Sequence, residues 1–186
     1  DSLVWVASAA MPDLAREDNP VESVMTMTAV RAHNAERLEV EDTCVAILRL
    51  KNGALGQILA ATSMYPGQLR RLQVGGRDGT AEVVEEQLTA WQFREEVASD
   101  SATRERFGGA SSTSGGAADP MAINYSMHTR NFEAFIDAIR EGRRPALDGL
   151  EGRKAVAVVE ACYKSARTGR PVKVADPKPA VSSANG

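Results

Sequence analysis

The spacing of apolar residues changes once along the chain, and that change restricts the fold more than any other feature. From Val24 to Phe93 apolar and polar positions alternate in twos, the period of a strand with one buried face. After Tyr125 the period becomes 3.6, the period of an amphipathic helix. Strands first and helices afterwards describe an α+β domain in which helices cover one face of an open, mostly antiparallel sheet. Parallel βαβ units would interleave the two periods, and no such interleaving is present.

The alternation is clearest at Thr43 to Leu50. Cys44, Ala46, Leu48 and Leu50 share one face, and Thr43, Val45, Ile47 and Arg49 the other. Asn52-Gly53 follows, and this dipeptide supplies the positive φ angles of a two-residue type I′ turn. The sequence therefore predicts a hairpin from Thr43 to Leu59. Further strands are expected at Arg70 to Val74, Thr80 to Val84 and Leu88 to Phe93, with turns at Gly75-Gly76, Asp78-Gly79 and Glu85-Glu86. Met25, Met27, Val45 and Ile47 are expected to leave an apolar sheet face that the helices do not cover, and such a face needs a partner.

The helical half begins near His128. Phe132, Phe135, Ile136 and Ile139 form one stripe of a helix running to Glu141, and Gly142 suits the left-handed residue that ends it. Asp148-Gly149-Leu150-Glu151 has the spacing of a capping box and opens a second helix. That helix is expected to turn Val156, Val159, Tyr163 and Ala166 inward and to stop at Gly169. Val172 to Val174 reads as a short closing strand.

Composition sets the remaining limits. A chain of 186 residues can bury one substantial core but is short for a complete two-domain cofactor enzyme. With 25 acidic against 22 basic residues it carries a net charge of -3, and no basic cluster marks a nucleic-acid footprint. No apolar run approaches a membrane span, so a cytoplasmic protein is expected. Cys44 and Cys162 read as two buried thiols in a reducing compartment. The segment 99–120 is rich in Ser, Gly and Ala and reads as a flexible loop, and residues 176–186 as a disordered tail.

Chemical motifs are sparse. Val74-Gly75-Gly76-Arg77-Asp78-Gly79-Thr80 lacks the Gly-Lys-Ser/Thr ending of a phosphate loop and precedes a strand, so it reads as a turn. Two histidines and two distant cysteines do not assemble a zinc ligand set. His33 reads as a solvated loop residue, and Glu41-Asp42 as solvated acids before a strand. Three residues are candidates for contact with a small polar substrate. These are Tyr65 beside a turn, Arg71 with its guanidinium fork, and His128 at a helix start.

The order of these segments resembles a known family. Pro20-Val21-Glu22-Ser23-Val24, Val40-Glu41-Asp42-Thr43-Cys44-Val45-Ala46, Leu50-Lys51-Asn52-Gly53-Ala54-Leu55-Gly56 and Tyr65-Pro66-Gly67 come first. Leu72-Gln73-Val74-Gly75-Gly76-Arg77-Asp78-Gly79-Thr80, Asn131-Phe132-Glu133-Ala134-Phe135-Ile136-Asp137-Ala138-Ile139-Arg140-Glu141-Gly142 and Ala161-Cys162-Tyr163-Lys164-Ser165-Ala166-Arg167-Thr168-Gly169 follow. Together they resemble the C-terminal domain of the Gfo/Idh/MocA oxidoreductases, relatives of glucose–fructose oxidoreductase and inositol dehydrogenase. The likeness covers residues 20–175, and residues 1–19 stand outside it.

That resemblance implies a substrate-binding and oligomerisation domain of an NAD- or NADP-dependent sugar or polyol oxidoreductase. It implies a homo-oligomer formed through the sheet face. The family's nucleotide-binding half, its Gly-x-Gly-x-x-Gly turn, its Glu-Lys-Pro lysine and its Gly-x-His-x-x-Asp segment are not in this sequence. Ser8 to Leu14 stand where that last segment would be. No catalytic, cofactor-binding or metal residue is therefore assigned, and the chain alone is expected to be inactive. The alternative is a non-enzymatic dimerisation or small-ligand-binding module of the same fold.

Overall fold

A computed structural model describes residues 1–34, 39–109 and 126–176. The chain divides into two units, Asp1–Ser63 with the chain from Ile136 onward, and Met64–Phe135.

The larger unit is built on a four-stranded antiparallel sheet. Its strands are β1 (Val21–Ala29), β2 (Thr43–Leu50), β3 (Leu55–Ala61) and the short β7 (Val172–Lys173), in the order β3-β2-β1-β7. Pairing follows the alternation. Val24 lies opposite Leu48, and Leu48 opposite Gly56, in one row of the inner face. Helix α4 (Gly149–Thr168) packs on that face, and α1 (Ser2–Ala9) packs on α4. The core is Val4, Val21, Val24, Leu48, Val158, Ala161 and Val174, with Leu3, Ile58 and Cys162 against it.

The β2–β3 turn departs from expectation. Gly53 has φ +86°, but Asn52 does not enter the left-handed region. The Gly53 N–H donates to the Leu50 carbonyl at 2.9 Å, and the Leu50 N–H to the Ala54 carbonyl at 2.9 Å. This is a three-residue loop with a single left-handed glycine, in which only Gly53 needs the freedom that Asn-Gly was expected to supply twice.

The inward face of α4 also differs. Lys154, Val158, Ala161 and Ser165 are buried, whereas Val156, Val159 and Tyr163 are exposed. The four buried positions recur at helical spacing, and two of them are small, which lets helix and sheet approach closely. Ser165 joins the two elements, since its Oγ accepts from the Thr26 N–H at 3.0 Å and donates to the Arg170 carbonyl at 2.7 Å. The helix begins as expected. Asp148 accepts from the N–H groups of Leu150 and Glu151, and Gly169 ends it at φ +63°.

The smaller unit carries a separate antiparallel sheet, β4 (Arg71–Gly75), β5 (Gly79–Val84) and β6 (Gln87–Phe93), so the strands form two sheets rather than one. Helix α2 (Ala98–Phe107) occupies the first part of the segment expected to be a loop. Asp100 explains it. One carboxylate oxygen accepts from the Val97 N–H at 2.8 Å and the other from Trp91 Nε1 at 2.9 Å, which caps the helix and pins it to β6. The rest of that loop from residue 110, and the tail from residue 177, lie outside the described residues.

Helix α3 (Ser126–Arg140) crosses the boundary between the units. Its expected stripe of Phe132, Phe135, Ile136 and Ile139 is exposed, whereas Ala138 is buried. The stripe has helical period, but the period alone does not state what covers it.

Candidate functional site

Tyr65, Arg71 and His128 all fall in the smaller unit. Tyr65 follows β3, is 99% exposed and precedes Pro66 through a cis peptide bond. Arg71 opens β4, and its Nε lies 3.4 Å from Oε1 of Glu82 on the neighbouring strand. His128 is exposed in the first turn of α3. Among the described residues no hydrogen bond or ion pair links any two of the three. Each offers a polar group to solvent, and the Arg71 guanidinium already faces the Glu82 carboxylate.

The glycine turn is structural. Gly75 pairs with Thr80, and the Gly76 N–H donates to the Gly79 carbonyl at 2.8 Å, closing the β4–β5 hairpin. A methyl group at Gly79 would overlap the Phe93 ring and come within 2.6 Å of the Gln92 carbonyl oxygen. The glycine is required by the close approach of β6. The turn joins two antiparallel strands and leads into no helix, so it does not suit a dinucleotide's pyrophosphate, which needs a strand–turn–helix with its N–H groups aimed at the anion. No cluster of His, Cys, Asp and Glu suited to a metal ion occurs among the described residues.

The outer face of the larger sheet is apolar and open. Met27, Val45 and Leu59 form one cross-strand row, and Met25, Ile47 and Gln57 the next. Ile47 is 59% exposed, Leu59 61% and Met27 73%, with Leu55 beyond them at 71%. Large apolar side chains contiguous in this way on a regular sheet are the usual mark of a surface that meets a partner. The face expected from Met25, Met27, Val45 and Ile47 is present and extends onto β3.

Two polar clusters escaped the reading of the sequence. Asp42 is buried, not solvated. Burial would raise its carboxyl, but the N–H groups of Ala32, Arg31 and His33 and the Thr43 hydroxyl outweigh burial and hold it far below the usual carboxylate range. His33 Nδ1 stands 3.3 Å from the same carboxylate, so His33 is partnered and only half exposed.

The second cluster surrounds the start of α4. Arg16 Nη2 meets Asp148 at 2.8 Å, Lys154 Nζ meets Glu151 at 3.2 Å, and Arg16 Nε approaches Glu151 at 3.8 Å. The Arg16 hydrogen bond, with help from the Glu151 and Leu150 N–H groups, outweighs desolvation and lowers the Asp148 pKa. Arg16 comes from a segment that resembled nothing, and only its closeness in space to α4 reveals the cluster. Cys44 and Cys162 are free thiols and half-buried, and burial raises the Cys44 pKa.

No helix among the described residues is long and apolar enough to cross a membrane. Residues 17–174 match the family described as the oxidoreductase family, C-terminal alpha/beta domain. No curated protein sequence matches the chain. Among solved structures, the WlbA dehydrogenase from Bordetella pertussis, in complex with NADH and UDP-GlcNAcA, is similar at 30% identity and a TM-score of 0.64. The match covers 84% of this chain and 41% of that one. A WlbA dehydrogenase from Chromobacterium violaceum matches at 29% identity and a TM-score of 0.65, again over 84% and 41%. A putative myo-inositol dehydrogenase from Sinorhizobium meliloti 1021 shares the fold at 24% identity and a TM-score of 0.61, over 85% of this chain and 44% of its own. The chain therefore spans less than half the length of these structures.

Proposed function

The chain belongs to the Gfo/Idh/MocA oxidoreductase family as its C-terminal α/β domain, and from that premise we propose that it forms the substrate-binding and oligomerisation part of an NAD(P)-dependent sugar or polyol oxidoreductase. The observation that carries the reading is the open apolar face of Met25, Met27, Val45, Ile47 and Leu59. A second copy presenting the same strands would cover it by a two-fold contact, in which each patch meets itself. NADH and UDP-GlcNAcA in the Bordetella structure support the substrate and cofactor class.

A nicotinamide cofactor would supply the hydride-transfer chemistry, but the described residues of this chain do not fit a dinucleotide, and no step is assigned to them. Their part is to hold and orient substrate, with Tyr65, Arg71 and His128 as the proposed contacts. Replacing any of the three in the intact oxidoreductase is expected to raise KM more than it lowers kcat.

Sedimentation velocity over a wide concentration range tests the oligomerisation role, with a concentration-dependent dimer expected. A monomer at every concentration would remove it. Calorimetric titration with NADH tests the cofactor assignment, with no binding expected. Tight stoichiometric uptake by this chain alone would place the dinucleotide here after all.

A second reading, a non-enzymatic dimerisation or ligand-binding module, is favoured by the same sheet face. The reading frame upstream of Asp1 separates the two. A strand–Gly-x-Gly-x-x-Gly–helix pattern there supports the oxidoreductase, and a start codon supports the module.

A further inference from the structure

The larger sheet ends differently at its two edges. At one edge β7 is only two residues long, follows Pro171 and ends in Lys173. Shortness, proline and lysine are common devices that keep an edge strand from pairing. At the other edge β3 runs for seven residues, Leu55-Gly56-Gln57-Ile58-Leu59-Ala60-Ala61, without a charge, a proline or a break in register.

The free backbone groups of β3 follow from its ladder with β2. The Leu50 N–H donates to the Ala54 carbonyl at 2.9 Å, and the Thr62 N–H to the Asp42 carbonyl at 3.0 Å. Bonded pairs alternate along an antiparallel ladder, so Gly56, Ile58 and Ala60 turn their N–H and C=O groups toward β2. Leu55, Gln57, Leu59 and Ala61 turn theirs away, and among the described residues no backbone hydrogen bond reaches those outward groups. Leu55 is 71% and Leu59 61% exposed, and Gln57 and Ala60 are exposed as well.

We propose that this edge pairs with the same edge of a second copy of the chain, antiparallel and centred on Ile58. That register sets Leu55 opposite Ala61 and Gln57 opposite Leu59, and each pair exchanges both of its bonds, so every outward N–H and C=O of the strand is satisfied. No like charges meet, because the strand carries none. The two four-stranded sheets become one of eight. The two-fold axis of such a pair is perpendicular to the sheet, so the apolar outer faces of both copies lie on one side and stay free for the proposed face contact. One strand pairing is a small contact beside the roughly 1,200–2,000 Å² of a stable interface, and alone it is the weaker of the two. Copies already joined through the face present two edges at once, and the edges then act together. Two strand-paired sheets stacked face to face make a tetramer. The strand pairing stands without the face contact, whereas the tetramer rests on it.

The test is hydrogen exchange of the full chain, followed residue by residue as concentration rises, with sedimentation velocity on the same samples. In the dilute chain the Gly56, Ile58 and Ala60 amides are expected to be protected and those of Gln57 and Leu59 to exchange freely. Where the tetramer forms, the Gln57 and Leu59 amides are expected to slow at least about tenfold. Gln57→Pro removes one outward N–H but no bond to β2, and Gly56 before it has no Cβ to meet the ring. This variant is expected to lose the tetramer and keep the dimer and the Tm. If it fails to fold, the exchange pattern of the parent chain decides alone. Gln57 and Leu59 amides that stay fast in the associated chain, a tetramer that survives Gln57→Pro, or a monomer at every concentration would overturn the pairing. Amides already slow in the dilute monomer would overturn it too, since a segment of the same chain then covers the edge. Failure of the face contact alone gives a different result, a dimer with those amides slowed and no tetramer.

Discussion

The two faces of the larger sheet have the same strands, the same period and similar residues, yet opposite surroundings. Leu48 is fully buried beneath α4, while Ile47, its neighbour in sequence, is 59% exposed. Val24 and Met25 repeat the contrast one strand away. A strand specifies two faces by alternation but does not specify what lies over each. Here one face is covered from within the chain and the other is exposed.

Core truncation gives the largest expected difference between the faces. Leu48→Ala should lower the unfolding free energy by about 2–5 kcal/mol, because α4 and the sheet close only partly around the void. Ile47→Ala should change it by no more than about 0.5 kcal/mol in dilute protein. Urea denaturation of both variants checks the pair, and equal losses would mean that the outer face is covered within the monomer.

The next effect concerns what holds α4 in place. Asp148→Ala removes a cap that accepts from the Leu150 and Glu151 N–H groups and also the Arg16 ion pair. A loss of about 1–2 kcal/mol is expected, seen as a lower Tm. Arg16→Ala, which spares the cap, should cost less, and the difference apportions the two roles.

A smaller change of opposite sign is expected at Gly56, which faces Leu48 across the strands. A methyl group there would sit 3.6 Å from Leu48 Cδ1, an ordinary contact, and the backbone is not in the left-handed region. Gly56→Ala should therefore stabilise by up to about 1 kcal/mol, since it restricts the unfolded chain without strain. A higher urea midpoint would show that the inner face still has room, and a lower one that it is already full.

How much of this was legible depended on distance along the chain. The β2 alternation, the Asp148 cap and the Gly142 and Gly169 helix ends are local, and the sequence shows them because neighbouring residues determine them. The inward face of α4 was not legible. Val156, Val159 and Tyr163 outweigh Lys154, Ala161 and Ser165 in hydrophobicity, but close approach to the sheet selects the latter set, and two of its members are satisfied by Glu151, Thr26 and Arg170. Helix α2 was hidden for a related reason, because Trp91 on β6 completes the partner set of Asp100. The polar cluster at the start of α4 was the least legible part. Arg16 and Asp148 meet at 2.8 Å from distant parts of the chain, and no spacing in the sequence connects them.

The smallest expected effect on folding bears most directly on function. Ile47→Asp places a charge in the middle of the exposed row, between Met25 on β1 and Gln57 on β3. In the isolated chain this side is wet, so the charge loses little hydration and stability should move by no more than about 0.5 kcal/mol. In a dimer formed through this face the same carboxylate would be desolvated opposite its own copy, and the cation nearest on that face, Arg49, stands in the next row rather than opposite it. Sedimentation should then show a folded monomer at concentrations where the parent chain associates, with the far-UV spectrum unchanged. If Ile47→Asp still dimerises, the open face is not the contact, and the exposed stripe of Phe132, Phe135, Ile136 and Ile139 becomes the surface to test next.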